Sequence, residues 1–213
     1  MVNDYIEKEI SKKVYNILLI AATLLGMLWA ADIAYFYKLP TYLDQLICFG
    51  VVTIIQLIVS NGYNTLRKSN KTHKKIVCYI CTVLLSSIAT GIFLQGNGEK
   101  ALLMAIMKNS VCILVAILLS HSNKLQKVLY IFWSNERVNS IGGIITAILI
   151  IIVMSGGTGI LKLILFVTYI LFMSSTWNEA QDIECNISNM MCYTLLFIEI
   201  SNVYLIAQVG IKI

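Results

Sequence analysis

Apolar runs long enough to cross a lipid bilayer follow one another through the whole chain, with only short polar stretches between them. Few folds are compatible with that pattern. A hydrocarbon core about 30 Å thick takes about 20 helical residues to cross, and inside it every backbone N–H and C=O needs a partner within the protein. A water-soluble domain of 213 residues, 58% apolar and 13% charged, would have to hide more apolar surface than its interior can hold. The sequence therefore predicts an all-α polytopic integral membrane helix bundle, a single membrane domain over residues 1–213 with no soluble domain attached. The lipid bilayer is its first partner.

Seven runs read as spans: 14–37, 42–61, 76–94, 101–119, 141–154, 160–173 and 190–209. The fifth and sixth are each shorter than the roughly 17 residues that span a bilayer. Between them lies Ser155-Gly156-Gly157-Thr158-Gly159, a helix-breaking connection, so a re-entrant hairpin giving six spans is the alternative to seven. Seven spans put the acidic loop of Glu179, Asp182 and Glu184 on the side of the N-terminus. Six put it on the other. Before the first span, residues 3–13 set Ile6 and Ile10 at helical spacing among Glu7, Lys8, Glu9, Lys12 and Lys13. This predicts an N-terminal interfacial amphipathic helix that runs on into the first span. Residues 128–133, Tyr42 and Trp177 are expected at headgroup level, where aromatic side chains are favoured.

The net charge of +5 does not point to nucleic acid, because the basic residues are spaced as topology signals. Lys8, Lys12 and Lys13 precede the first span; Arg67, Lys68, Lys71, Lys74 and Lys75 lie between the second and third; Lys124, Lys127 and Arg137 follow the fourth. The intervening loops hold one Lys or none. The positive-inside rule then predicts a multi-pass protein of the cell membrane with its N-terminus in the cytoplasm and no cleavable signal peptide.

Ionisable residues within the apolar runs are the candidates for function: Asp32, Lys108, Lys162 and Glu199. Each costs free energy in hydrocarbon unless it is paired, hydrated or able to reach the interface. Lys162, near a span end, is expected to snorkel. Lys108 sits in the triplet Lys108-Asn109-Ser110 near the middle of the fourth run, at a depth that Asp32 or Glu199 can match. Asn109, Asn202 and Gln56 supply hydrogen-bonding groups beside them. Two expectations follow: a structural polar cluster in which Lys108 pairs with one of the carboxylates, or a substrate or ion path formed by Lys108, Asn109, Glu199, Asn202 and Asp32.

A second constellation lies at the start of the third run: Arg67, His73, Cys78 and Cys81. An imidazole can take a thiol proton and leave a nucleophilic thiolate. This stretch resembles the accessory gene regulator B family, membrane cysteine peptidases that process quorum-sensing peptide precursors. In that family a basic loop leads to a catalytic His followed by a catalytic Cys. The resemblance implies His73 as base and Cys78 or Cys81 as nucleophile. The sequence departs from the family where a glycine-rich step precedes the His, here Asn70-Lys71-Thr72, where a small residue follows it, here Lys74, and in the His to Cys spacing. Otherwise cysteines within apolar runs are expected to act as small hydrophobes.

No zinc helix, phosphate-binding loop or serine-nucleophile motif occurs, and no metal or cofactor is expected. The leading expectation is a non-enzymatic membrane protein: a small permease, a channel component or a membrane subunit acting with a protein partner or as a homo-oligomer. The alternatives are the peptidase and a structural, immunity or assembly factor.

Overall fold

The computed structural model describes residues 10–66, 72–133 and 159–209, together with Ile145, Ile148 and Ile152. Among the described residues there are seven helices: α1 (Lys12–Phe36), α2 (Tyr42–Leu66), α3 (Thr72–Phe93), α4 (Glu99–Ser120), α5 (Asn123–Trp133), α6 (Gly159–Asp182) and α7 (Ile187–Val209). All but α5 are long and apolar enough to cross a bilayer. The chain is an all-α, multi-pass membrane protein.

The N-terminal boundary differs from expectation. Ser11 has extended backbone angles and its hydroxyl accepts from the Val14 N–H, so it caps α1 and Ile10–Ser11 is not helical. No helix runs through these residues into the first span; 3–9 lie outside the described residues. The run 141–154 lies outside them too, except for Ile145, Ile148 and Ile152, which are helical and exposed.

The helices are arranged around α7, which touches α1, α3, α4 and α6. Next to one another, α3 packs on α1, α1 on α4 and α4 on α6; among the described residues α2 packs along α3 and reaches α7 through the Tyr63 and Gln56 side chains. One core cluster joins Leu19 and Met27 of α1, Cys112 of α4, Met173 and Trp177 of α6, and Phe197 of α7. Trp177 is 5% exposed and meets Phe197 edge-on, so it is a core residue rather than a headgroup anchor. A methylene-poor seam lets α1 and α3 approach closely. A Cβ on Gly91 would lie 2.6 Å from Ile33 Cγ2 and 2.8 Å from the Ala30 carbonyl oxygen. Four residues earlier on α3, Ser87 donates to the Gly26 carbonyl at 3.1 Å. Small residues and hydroxyls at such seams replace the hydrophobic driving force that lipid does not supply.

The contacts also assign each helix end to one end of the bundle. The Ile10 N–H donates to Cys185 O at 2.7 Å and Lys12 Nζ to Gln181 O at 3.2 Å, so α1 begins where α6 ends. Tyr63 of α2 and Ile76 of α3 cluster with Met191 of α7 at that same end. At the far end, Ala34, Leu94, Leu102 and Leu205 come together. There α3 turns into α4 through Gly96, whose φ of 80° is left-handed and open to glycine without strain. Lys12, Lys13, Lys74, Lys75, Lys124 and Lys127 thus gather toward one end, with Asp182 and Glu184 among them. The acidic loop lies at the basic end because α6 ends beside the start of α1.

Candidate functional site

Adjacent residues of a helix point about 100° apart, and this separates the members of the triplet on α4. Asn109 is fully buried, whereas Lys108 is exposed on a face shared with Met104, Met107 and Val111. Lys108 forms no ion pair with Asp32 or Glu199. Asp32 is likewise exposed, on the outer face of α1 near Trp29 and Phe36. The expected cluster of Lys108 with a carboxylate is therefore not assembled inside this chain. Lys162, three residues into α6, is exposed close to the helix start, where its stem can carry the ammonium to the interface.

What Asn109 does is clear from its partners. Its amide N–H donates to the Ser201 carbonyl at 3.0 Å and lies 2.9 Å from Met27 Sδ, while its Oδ1 accepts from the Tyr169 hydroxyl. Tyr169 OH also lies 3.3 Å from Ser201 Oγ, and its ring stacks on Tyr204 at a centroid distance of 4.0 Å and 4° between planes. One side chain thereby ties α1, α4, α6 and α7 together. Its oxygen and its nitrogen are both engaged, so this hub is structural glue rather than an open site. Tyr169 was not legible as its partner, since it sits in a run that reads as apolar throughout.

Two hydrogen bonds lace α3 to α7: Lys75 Nζ donates to Ser188 Oγ at 3.0 Å, and Asn202 Nδ2 donates to Ser86 Oγ at 3.2 Å. Lys75 is only 3% exposed, although its place in a basic loop suggested a solvated topology signal.

Glu199 occupies a different setting. It is half-buried on α7, about 18 Å from the helix start and about 15 Å from its end, close to mid-depth. Its carboxylate accepts from Gln56 Nε2 of α2 at 3.4 Å. No Cα of α2 comes within 8 Å of one on α7, so these two long side chains meet between helices whose backbones do not approach closely. At the basic end the two helices are joined by Tyr63, whose hydroxyl donates to the Ser188 carbonyl at 3.2 Å. One turn toward the far end lie Thr53 on α2 and Asn202 on α7. Buried without a hydrogen-bond partner are Thr53 Oγ1 and Asn202 Oδ1. Of the sequence candidates, the structure brings Glu199, Asn202 and Gln56 into one region and leaves Lys108 and Asp32 outside it.

His73, Cys78 and Cys81 all belong to the continuous helix α3. Five residues place Cys78 about 7.5 Å along the axis from His73 and about 140° around it; eight place Cys81 about 12 Å along and about 80° around. Neither thiol is within hydrogen-bond reach of that imidazole on such a helix. His73 is exposed, and Cys78 packs against the Tyr63, Met191 and Leu195 cluster as a small apolar group. Arg67 lies outside the described residues. Among the described residues no group of His, Cys, Asp and Glu is placed to hold a metal ion.

Comparison with known proteins finds no matching family model, no similar curated protein and no similar solved structure.

Proposed function

We propose that the protein is a non-enzymatic permease or channel component, alone or as the membrane subunit of a larger assembly, and that the region between α2 and α7 around Gln56 and Glu199 is a hydrated cleft that serves as its path. The observation that carries this reading is the Gln56 to Glu199 bridge: a carboxylate near mid-depth, held by one amide, between helices with no Cα atoms within 8 Å of each other. An intramembrane acid is costly unless water or a ligand reaches it, and a cleft supplies that access. The exposed Lys108 faces away from this path; it suits a neighbouring protein, a second copy or another chain, that offers it an acceptor. The gathering of lysines at the end where α1 begins supports a cell-membrane protein with a cytoplasmic N-terminus.

The test is hydration of the cleft. In a variant whose six cysteines are replaced, Thr53→Cys is expected to react with a charged, water-borne methanethiosulfonate in sealed vesicles. Reaction with lipid-soluble maleimide alone refutes the path. In that event the satisfied Asn109 hub favours a structural or assembly factor, whose polar groups only hold the helices together.

A further inference from the structure

The oxygens of the cleft form a more specific pattern than a lone acid. The helices α2 and α7 run in opposite directions, since α2 ends and α7 begins at Tyr63 and Ser188. Thr53, three residues before Gln56, and Asn202, three after Glu199, therefore lie on the same side of the Gln56 to Glu199 bridge, each about one turn from it. Asn202 is 2% exposed. Its amide nitrogen is fixed by Ser86, which turns Oδ1 away from that hydroxyl and leaves it without a partner; Thr53 Oγ1 is also buried and unpartnered. Buried oxygens are rarely left so, and these two, each about one helical turn from the bridge to a carboxylate, suit a donor or a cation.

We propose that Glu199, Asn202, Thr53 and Gln56 form a binding site for a hard monovalent cation, sodium, at mid-depth in the cleft. Every available ligand atom is an oxygen, which selects a hard ion over a soft one. The set holds one negative charge, so a monovalent ion leaves it neutral, whereas a divalent ion would leave a net charge in a medium that solvates it poorly. Gln56 now donates its amide to Glu199; rotation about its last side-chain bond offers Oε1 instead, and bound water completes the shell. The site rests on the reading of the cleft as a path, although it can exist without conduction.

The experiment uses the full chain in lipid nanodiscs, with thermal unfolding followed in sodium, lithium, potassium and choline chlorides at one pH and ionic strength. Sodium is expected to raise the midpoint saturably above choline; at ten times the dissociation constant the folded to unfolded ratio rises about elevenfold. Glu199→Gln and the near-isosteric Thr53→Val are expected to abolish the sodium-specific rise, and Lys162→Gln to keep it. Equal midpoints in sodium and choline overturn the site, as does an undiminished sodium response in Glu199→Gln. Replacement of the whole effect by mild acid in choline identifies a proton instead and also overturns it. A sodium-specific rise in a protein whose Thr53→Cys is inaccessible to water-borne reagent keeps the site and removes the path; accessibility without the rise does the reverse.

Discussion

Gly91→Ala tests how closely the bundle is drawn together at its narrowest seam. The added methyl would sit 2.6 Å from Ile33 Cγ2, 2.7 Å from Ile33 Cβ and 2.8 Å from the Ala30 carbonyl oxygen. An ordinary carbon contact is about 3.5 to 4.0 Å, so rotation of Ile33 relieves only part of the clash and α1 and α3 must part by somewhat under 1 Å. The Ser87 hydroxyl, one turn away, would then be drawn beyond hydrogen-bond distance of Gly26 O, from its present 3.1 Å. Overpacking of this kind costs about 1–3 kcal/mol, and helix propensity, which favours Ala by about 1 kcal/mol, leaves a net loss of about 0–2 kcal/mol against the wild type and the full cost against a Gly→Ala change in open space. Gly26→Ala is the internal control, because there the Cβ meets only Ile198 side-chain atoms at 3.2 to 3.3 Å. Gly50→Ala, with nothing within 4 Å, isolates the propensity gain. Unfolding of the three variants in mixed micelles, followed by dye labelling of the native cysteines, is expected to rank Gly50→Ala as most stable and Gly91→Ala as least. A Gly91→Ala variant as stable as Gly50→Ala, or a larger loss for Gly26→Ala, would refute the close approach of α1 and α3.

Other consequences can be measured in the same preparation. Asn109→Leu is expected to cost about 1–2 kcal/mol and Tyr169→Phe about 1 kcal/mol, with the double variant falling short of their sum because both cut one network; strict additivity would dissolve the hub. Lys108→Leu is expected to leave the isolated chain's stability within about 0.5 kcal/mol, since the side chain faces outward; a larger drop would mean it bonds inside the bundle. Cys185 should react with an impermeant maleimide from the membrane face that carries an N-terminal tag, and a tag after residue 213 should lie on the other face; labelling of Cys185 from the opposite face contradicts the pairing of α1 with the end of α6.

The span positions were legible in the residues because length and apolarity alone decide them. Six of the seven expected runs coincide with described helices to within a few residues, except that α6 extends past residue 173 to Asp182 and α2 past residue 61 to Leu66. Which face of each helix turns inward was not legible. A helix that is apolar all round has no moment to fix its phase, so the sequence could not tell Lys108 from Asn109, although one residue of rotation sends them to opposite environments. A usable signal was present in the small residues: Gly26, Ala30 and Ala34 on α1, and Ser87 and Gly91 on α3, recur every four residues and mark the inward seam. For the cleft, Glu199 and Asn202 were visible as polar residues in an apolar run, while Gln56 and Thr53 acquired meaning only when α2 was seen to lie across from α7.

Because, among the described residues, α2 packs chiefly along α3 and meets α7 through two side chains, the lipid has a hold on its slope. Its 25 residues extend about 38 Å, more than a typical hydrocarbon core, and a helix that outruns its bilayer leans. Leaning slides one side chain past its opposite number on a neighbouring helix. In a thin membrane and a thick one, Gln56 would stand at different heights against Glu199, so the grip on whatever occupies their gap becomes a property of the surrounding lipid as much as of the chain.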